Sequence, residues 1–155
     1  RGIRSLCRTC GATIAKLDVD GAPRVDDAAI ATVAKFCKNL ARLGVDSCAR
    51  VTDLGLVAVA TSCVFLERLR AAGCGGDRHP ITSKTAEAIG RNCPRATTLD
   101  LSRSEVGRSG LLAIAAGCTL LETLKVNKCE YVDDVAVDAI LAGCPKLKAL
   151  HLATC

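Results

Sequence analysis

Six cysteines, Cys10, Cys37, Cys63, Cys93, Cys118 and Cys144, recur along this chain at steps of about 26 residues, and the residues that follow them recur as well. The phrases are CKNLARLGVDSC, CVFLERLRAAGC, CPRATTLDLSRS, CTLLETLKVNKC and CPKLKALHLATC, preceded by CGATIAKLDVDGA, which carries one extra residue. The shared template is C-x-x-L-x-x-L-x-L-x-x-C. A chain written as one phrase repeated many times is expected to fold as a stack of similar layers, each covering the open face of its neighbour.

Between the phrases lies a second recurring pattern: VDDAAIATVAKFC, VTDLGLVAVATSC, ITSKTAEAIGRNC, VGRSGLLAIAAGC and VDDVAVDAILAGC. Each predicts a helix. Asp26, Thr52, Thr82 and Asp133 stand where a side-chain oxygen accepts from the first-turn N–H groups, and apolar residues then follow at helical spacing, as in Ile30, Val33 and Ala34. Gly107 takes the cap position in the fourth of these units, so that helix start is expected to be the weakest. In the L-x-L stretch the two apolar side chains point to one face and the middle residue to the other, because side chains alternate across a strand. Each repeat thus predicts a short strand, a turn and a helix, with strand units at 14–22, 40–48, 66–74, 96–104, 121–129 and 147–155 in one domain spanning 1–155.

The template contains the L-x-x-L-x-L-x-x-N/C core of a leucine-rich repeat. The expected fold is an α/β leucine-rich-repeat solenoid, a horseshoe with parallel strands on the concave face and helices on the convex face. Only 2% of residues are aromatic while half are hydrophobic, so its core must be built from Leu, Val, Ile, Ala and Cys. The cysteines have two stations. Cys48, Cys74, Cys129 and Cys155 fill the turn after the strand, where a small buried thiol can donate to a backbone carbonyl. Ala22 and Ser104 replace them in two repeats, so the station asks for a small residue rather than a ligand. Cys10, Cys37, Cys63, Cys93, Cys118 and Cys144 end each helix and are expected to pack against the next repeat. Buried free thiols in this number imply a reducing, intracellular compartment such as cytoplasm, nucleus or cilium.

The pattern C-P-x-L-x-x-L-x-L-x-x-C, followed by V-T/D-D-x-x-L and a second cysteine, resembles the cysteine-containing repeats of F-box proteins and of related mitotic-exit antagonists. The resemblance covers residues 10–155, and CPKLKALHLATC carries it best. It implies an intracellular protein-recognition arc, often the substrate-receiving part of a Skp–cullin–F-box ubiquitin ligase. Similar repeats also occur in structural proteins of cilia and other large assemblies. No F-box helical segment is present in these 155 residues. Two roles therefore stand side by side: a protein-interaction scaffold within a larger assembly, or the substrate-recognition part of an F-box ligase.

If the template holds, the outward strand positions form columns across the sheet. Lys16, Arg42, Arg68, Thr98, Thr123 and Ala149 make one column; Asp18, Gly44, Arg70, Asp100, Lys125 and His151 make the next. Asp20, Asp46, Ala72, Ser102, Asn127 and Ala153 make a third. Adjacent acidic and basic patches of this kind suit a charged protein segment, and a basic spot is expected around Arg42, Arg68 and Arg70. The same charges would also serve simply to keep a sheet face solvated. The spacing breaks once, at 30 residues from Leu69 to Leu99, where GGDRHP forms an extra loop. Asp77, Arg78 and His79 are candidate contact residues there, the alternative being a tolerated surface insertion.

Other chemistry is not expected. Cys7 and Cys10 form a lone C-x-x-C and His79 lies near Cys74, but a structural zinc site needs two such pairs or a paired histidine. His79 and His151 have no partnered nucleophile at recognisable spacing, and no phosphate-loop glycine pattern precedes a helix. No catalytic residue, metal or cofactor is therefore assigned. The net charge of +5 is dispersed, without the dense basic runs or aromatic platforms of nucleic-acid binders, and no apolar run approaches the ~20 residues that cross a bilayer. Arg1 to Cys10 reads as the tail of a helix and Cys155 closes a strand phrase without a polar cap. More repeats or a partner chain are expected to cover both ends.

Overall fold

In the computed structural model, which describes residues 2–155, the elements follow one another as helix and strand along the whole chain. The strands are β1 (Lys16–Asp18), β2 (Arg42–Gly44), β3 (Arg68–Arg70), β4 (Thr98–Asp100), β5 (Thr123–Lys125) and β6 (Ala149–His151). The helices are α1 (Gly2–Cys10), α2 (Asp27–Phe36), α3 (Asp53–Ser62), α4 (Ser83–Asn92), α5 (Arg108–Gly117) and α6 (Asp134–Gly143), with one turn of 3-10 helix at Gly11–Thr13. All strands run parallel in one sheet ordered β1 to β6. Leu17, Leu43, Leu69, Leu99, Leu124 and Leu150 are mutual partners in that register. This is the expected solenoid, and the side-by-side Leu43, Leu69, Leu99 and Leu124 are its spine.

The helices start where the caps were expected. Asp26 and Asp133 accept from the N–H groups of Ala29 and Ala136, each at 2.9 Å, while Thr52 and Thr82 accept from Leu54 and Lys84, each at 3.2 Å. Gly107 contributes no side-chain cap. Its place is set by the next repeat: a Cβ there would come within 2.8 Å of the carbonyl oxygen of Tyr131. Ser83 of the preceding repeat accepts the Gly107 N–H at 3.1 Å instead.

Ser83 belongs to a relay that the repeat pattern alone does not announce. The first helical residue of one repeat reaches across to start the next helix. Asp27 accepts from the N–H of Thr52 (2.8 Å), the N–H of Gly55 (3.0 Å) and the hydroxyl of Thr52 (2.7 Å). Asp53 accepts from the N–H of Thr82 (3.0 Å) and from the hydroxyls of Thr82 and Thr85, each at 2.6 Å. These bonds satisfy helix N-terminal donors that would otherwise be left open, and a carboxylate beside the positive end of the next helix is favourable.

Between the layers the packing is close enough to demand small residues. A Cβ on Gly117 would fall 1.7 Å from the carbonyl oxygen of Gly90, and one on Gly143 would fall 2.3 Å from that of Ala115. Helix backbones in successive repeats therefore touch. At the far edge of each strand, Gly21, Ser47, Gly73, Arg103, Lys128 and Thr154 all adopt positive φ, near 60°. The N–H groups of Gly21, Ser47, Gly73, Arg103 and Lys128 each donate to a carbonyl one repeat onward, at distances of 2.7 to 2.9 Å. The left-handed residue thus continues the inter-repeat ladder past the strand.

Both cysteine stations lie in the core, with corrections at the two ends. Cys48, Cys74, Cys129 and Cys155 donate to carbonyls of the preceding repeat, Val19, Val45, Leu101 and Val126, at 2.9 to 3.4 Å. Cys63, Cys93, Cys118 and Cys144 do the same from the helix ends. Cys10, however, is exposed. The extra residue in the first copy shifts the frame, so that Gly11 occupies the buried station, six residues before Leu17 as Cys37 is before Leu43. Cys7 is buried in its place, with its Sγ 3.6 Å from that of Cys37. Cys155 is also exposed, because no layer among the described residues covers β6.

Candidate functional site

The outward side chains of the strands stand in the expected columns. Lys16, Arg42, Arg68, Thr98, Thr123 and Ala149 are in register, as are Asp18, Gly44, Arg70, Asp100, Lys125 and His151. Parallel neighbours lie ~4.8 Å apart, so the sheet brings Lys16, Arg42 and Arg68 together as a stack of three cations. All three are exposed. Among the described residues none of them makes an ion pair. Like charges opposite one another on a sheet face are unfavourable, so nothing in the fold's own stability asks for this arrangement.

The second column is neutralised from within. Arg70 reaches across β2 to Asp18, with Nη2 2.7 Å from Oδ2, and to Asp20, while its Nε lies 3.7 Å from Asp46. Gly44 makes the crossing possible. A Cβ there would sit 2.7 Å from the Arg70 guanidinium and 3.0 Å from Asp18. Farther along, Lys125 pairs with Asp100 at 3.8 Å. His151 is exposed on β6. The basic spot expected at Arg42, Arg68 and Arg70 is thereby redrawn: Arg70 is surrounded by carboxylates, and Lys16 takes its place beside Arg42 and Arg68.

In the third column the side chains are engaged by backbone. Asp20 accepts from the N–H of Asp46, Asp46 from that of Ala72, and Asn127 from that of Ala153, each at 2.8 Å. Ser102 accepts the N–H of Asn127 at 3.2 Å. Alternation alone places Asp20, Asp46 and Asn127 on the gripping face. Their oxygens serve as rungs between repeats, with only their outer edges available.

Two carboxyls of the Arg70 cluster differ in ionisation. The N–H of Asp20, donating at 3.4 Å, and the nearby Arg70 hold Asp18 below the usual carboxylate range. Burial pushes Asp46 up, against the opposing pull of the Ala72 N–H. Of these two, Asp18 is the firmer anion.

A shallow cavity of about 200 Å³ lies over Lys16, Arg42, Gly44, Arg68, Arg70 and Thr98. Leu17, Asp18 and Leu43 also line it. Gly44 carries one visible signal in the sequence: an outward strand position with no side chain between Asp18 and Arg70.

The insertion after Cys74 forms a separate feature on the rim. Asp77, Arg78 and His79 are exposed, and Gly75 and Gly76 hold the loop with φ of 75° and 58°. A Cβ on Gly75 would collide with the carbonyl of His79 at 1.7 Å, so this turn requires glycine. The loop walls a cleft of about 320 Å³ whose other side carries Arg103, Glu105, Lys128 and Tyr131. Acidic and basic groups alternate around it, and Arg103 is turned back onto Ser47 and the Ala72 carbonyl.

Cys7 is buried against Cys37 while Cys10 is exposed, and no group of three or more His, Cys, Asp or Glu side chains is arranged to hold an ion among the described residues. No helix among them is long and apolar enough to cross a membrane.

Residues 97–115, covering β4 and most of α5, match a family model described as a leucine-rich repeat. Among solved structures, the chain superposes on a chain of the yeast Rad7 and Elc1 complex with a TM-score of 0.73 at 18% identity, over 95% of its own length and 45% of that chain. It thus spans less than half of that relative. It also superposes on the Caenorhabditis elegans tropomodulin C-terminal domain, with a TM-score of 0.68 at 13% identity over 94% of this chain and 90% of that one. A further match is to actin-binding site 2 of leiomodin-1, with a TM-score of 0.59 at 11% identity, covering 92% and 87% of the two chains. At such identities the likeness is one of fold, and with the repeating strand, turn and helix already described it makes this chain a leucine-rich-repeat solenoid.

Proposed function

We propose that this chain is a protein-interaction module whose recognition surface is the outward face of the sheet, centred on Lys16, Arg42 and Arg68. The observation that carries this reading is the contrast between columns. Arg70 and Lys125 are matched by the protein's own acids, whereas the three stacked cations beside them are left open. Charges arranged in this way steer and orient an oppositely charged partner more than they stabilise the protein that bears them. The solenoid supplies a rigid platform, since every strand is locked to its neighbours by backbone bonds, with side-chain rungs from Asp20, Asp46, Ser102 and Asn127 added. The role is non-enzymatic, and the likenesses to a chain of a two-protein complex and to an actin-binding segment are in keeping with it.

The test compares two triple variants of the full-length protein by quantitative affinity purification. Lys16→Ala, Arg42→Ala and Arg68→Ala together should remove a defined set of salt-sensitive partners. Lys84→Ala, Arg91→Ala and Lys146→Ala, all exposed and away from the strands, should retain them. Equal retention by both would overturn the assignment of the face. The finer role, scaffold subunit or substrate-recognition part of an F-box ligase, rests on the resemblance of CPKLKALHLATC and its sister phrases. Co-purification of a Skp-type adaptor and cullin supports the ligase; recovery in a stoichiometric particle without them supports the scaffold. The free thiols of the core suit a reducing intracellular compartment for either role.

A further inference from the structure

We infer that the Lys16–Arg42–Arg68 column receives an acidic α-helix of a protein partner, with carboxylates on successive turns of one helix face; this rests on the reading of the sheet face as the recognition surface.

Spacing is the first reason. The three cations are consecutive partners in the sheet register, so their backbones span about 10 Å in two steps of ~4.8 Å. A helix rises ~1.5 Å per residue, and carboxylates at positions i, i+3 or i+4, and i+7 span about 10.5 Å on one face. In an extended segment, three side chains on one face span about 13 Å. The helix matches the column in both period and total length; the strand falls out of step by its third carboxylate.

The flanks restrict the fit further. On one side lie Asp18, Asp20 and Asp46, gathered around Arg70. A partner carboxylate that strays by one column meets Asp18 and an Arg70 already engaged by three carboxylates, so the helix axis is held over the first column. Along the axis the charge ends abruptly: beyond Arg68 the column continues as Thr98, Thr123 and Ala149. The partner helix should therefore carry its acidic turns at one end and small or uncharged polar residues at the other. The cavity of about 200 Å³ beside Arg42 and Arg68 offers room for one side chain between the acidic turns.

Polyanions of other kinds present charge differently. Duplex nucleic acid carries one phosphate per ~3.4 Å along each strand and would engage many dispersed cations at once. Three cations bounded by carboxylates on one side and threonines at one end form a short, closed footprint.

The experiment measures fluorescence anisotropy with defined probes on the full chain. One probe is a stapled helical peptide of about 14 residues with Glu at i, i+4 and i+7. The second has the same three glutamates and net charge but a central Pro that keeps it extended, and the third is an oligonucleotide duplex. The helical probe should bind about tenfold or more tightly than the extended one, with affinity falling as salt rises from about 50 to 200 mM. Arg42→Glu should abolish that binding, and a probe with its central Glu replaced by Lys should restore it, which a misfolded variant could not do. Equal or tighter binding of the extended peptide, tighter binding of the duplex, or no binding of the helix overturns the proposal. Should the helical probe fail while the triple alanine variant still loses its natural partners, the sheet face remains the recognition surface and the helical partner alone is refuted.

Discussion

Replacing Asp53 with alanine isolates the coupling between repeats. The carboxylate sits at the start of α3, yet all three of its side-chain bonds go to the following repeat: the N–H and hydroxyl of Thr82 and the hydroxyl of Thr85. Thr85 is fully buried. Removing the acceptor leaves that hydroxyl and one helix N-terminal donor without their partner. A buried group so orphaned costs about 1–3 kcal/mol, and bonds to a charged acceptor contribute somewhat more than neutral ones. The expected loss is roughly 2–4 kcal/mol, which at this chain length corresponds to about 6–12 °C in Tm. Asp134 is the built-in control. It occupies the same first-turn position of α6 and accepts no bond from another repeat among the described residues. Its replacement should cost only the first-turn charge effect, at most about 1 kcal/mol. Urea denaturation followed by far-UV circular dichroism gives both values. In a Thr85→Val background the Asp53→Ala penalty should shrink by about 1 kcal/mol, as expected for groups that share a bond. Equal penalties at Asp53 and Asp134, or full additivity with Thr85→Val, would refute the relay.

Further outcomes follow from the same layers. Gly117→Ala should destabilise by about 2–4 kcal/mol in the same denaturation assay because its Cβ strikes the Gly90 carbonyl, whereas Gly2→Ala, with open space around it, should change little. Lys128→Gly should be neutral or stabilising by up to about 1 kcal/mol, since Lys128 holds φ of 57° and glycine adopts that backbone without penalty; a clear loss would show that the lysine side chain matters there. Burial pushes the thiols of Cys74, Cys93 and Cys118 from 9.0 up to about 12. In native protein at neutral pH a thiol reagent should therefore modify Cys10 and Cys155 first, as mass spectrometry of digested peptides will show. Because the folded values are raised, the unfolded chain releases these protons first, and stability should fall progressively between about pH 9 and 12 rather than rise. A carbon-detected NMR titration should find Asp18 ionising at lower pH than Asp46, and coincident titration would contradict the geometry of the Arg70 cluster.

Much of the architecture was legible because local and global preferences agree. Leu43, Leu69, Leu99 and Leu124 recur with a buried phrase around them, and Asp26, Thr52, Thr82 and Asp133 mark helix starts by a chemistry that acts within three residues. What escaped the sequence depends on distances between repeats. In the first copy a one-residue shift decides between Cys10 and Gly11, and burial of Gly11 against Phe36 settles it in favour of Gly11. The columns were correctly grouped by alternation, but alternation says nothing of hydrogen bonds. It could not show that Asp20, Asp46 and Asn127 accept backbone N–H groups one repeat away, or that Arg70 passes over Gly44 to acids 50 and 52 residues earlier. Lys16, Arg42 and Arg68 stand apart from those internal pairings, which take up Arg70 and Lys125.

Site-specific photocrosslinking inside cells puts the recognition face under the most direct scrutiny. A benzophenone amino acid placed at Thr98, next in line after Arg68, should capture a protein partner. Capture should be lost when Arg42 is changed to Glu, and the same probe at Ser109, exposed on α5, should not yield that product. Crosslinks that form equally from Ser109, or that persist unchanged with Arg42→Glu, would place the partner elsewhere on the solenoid.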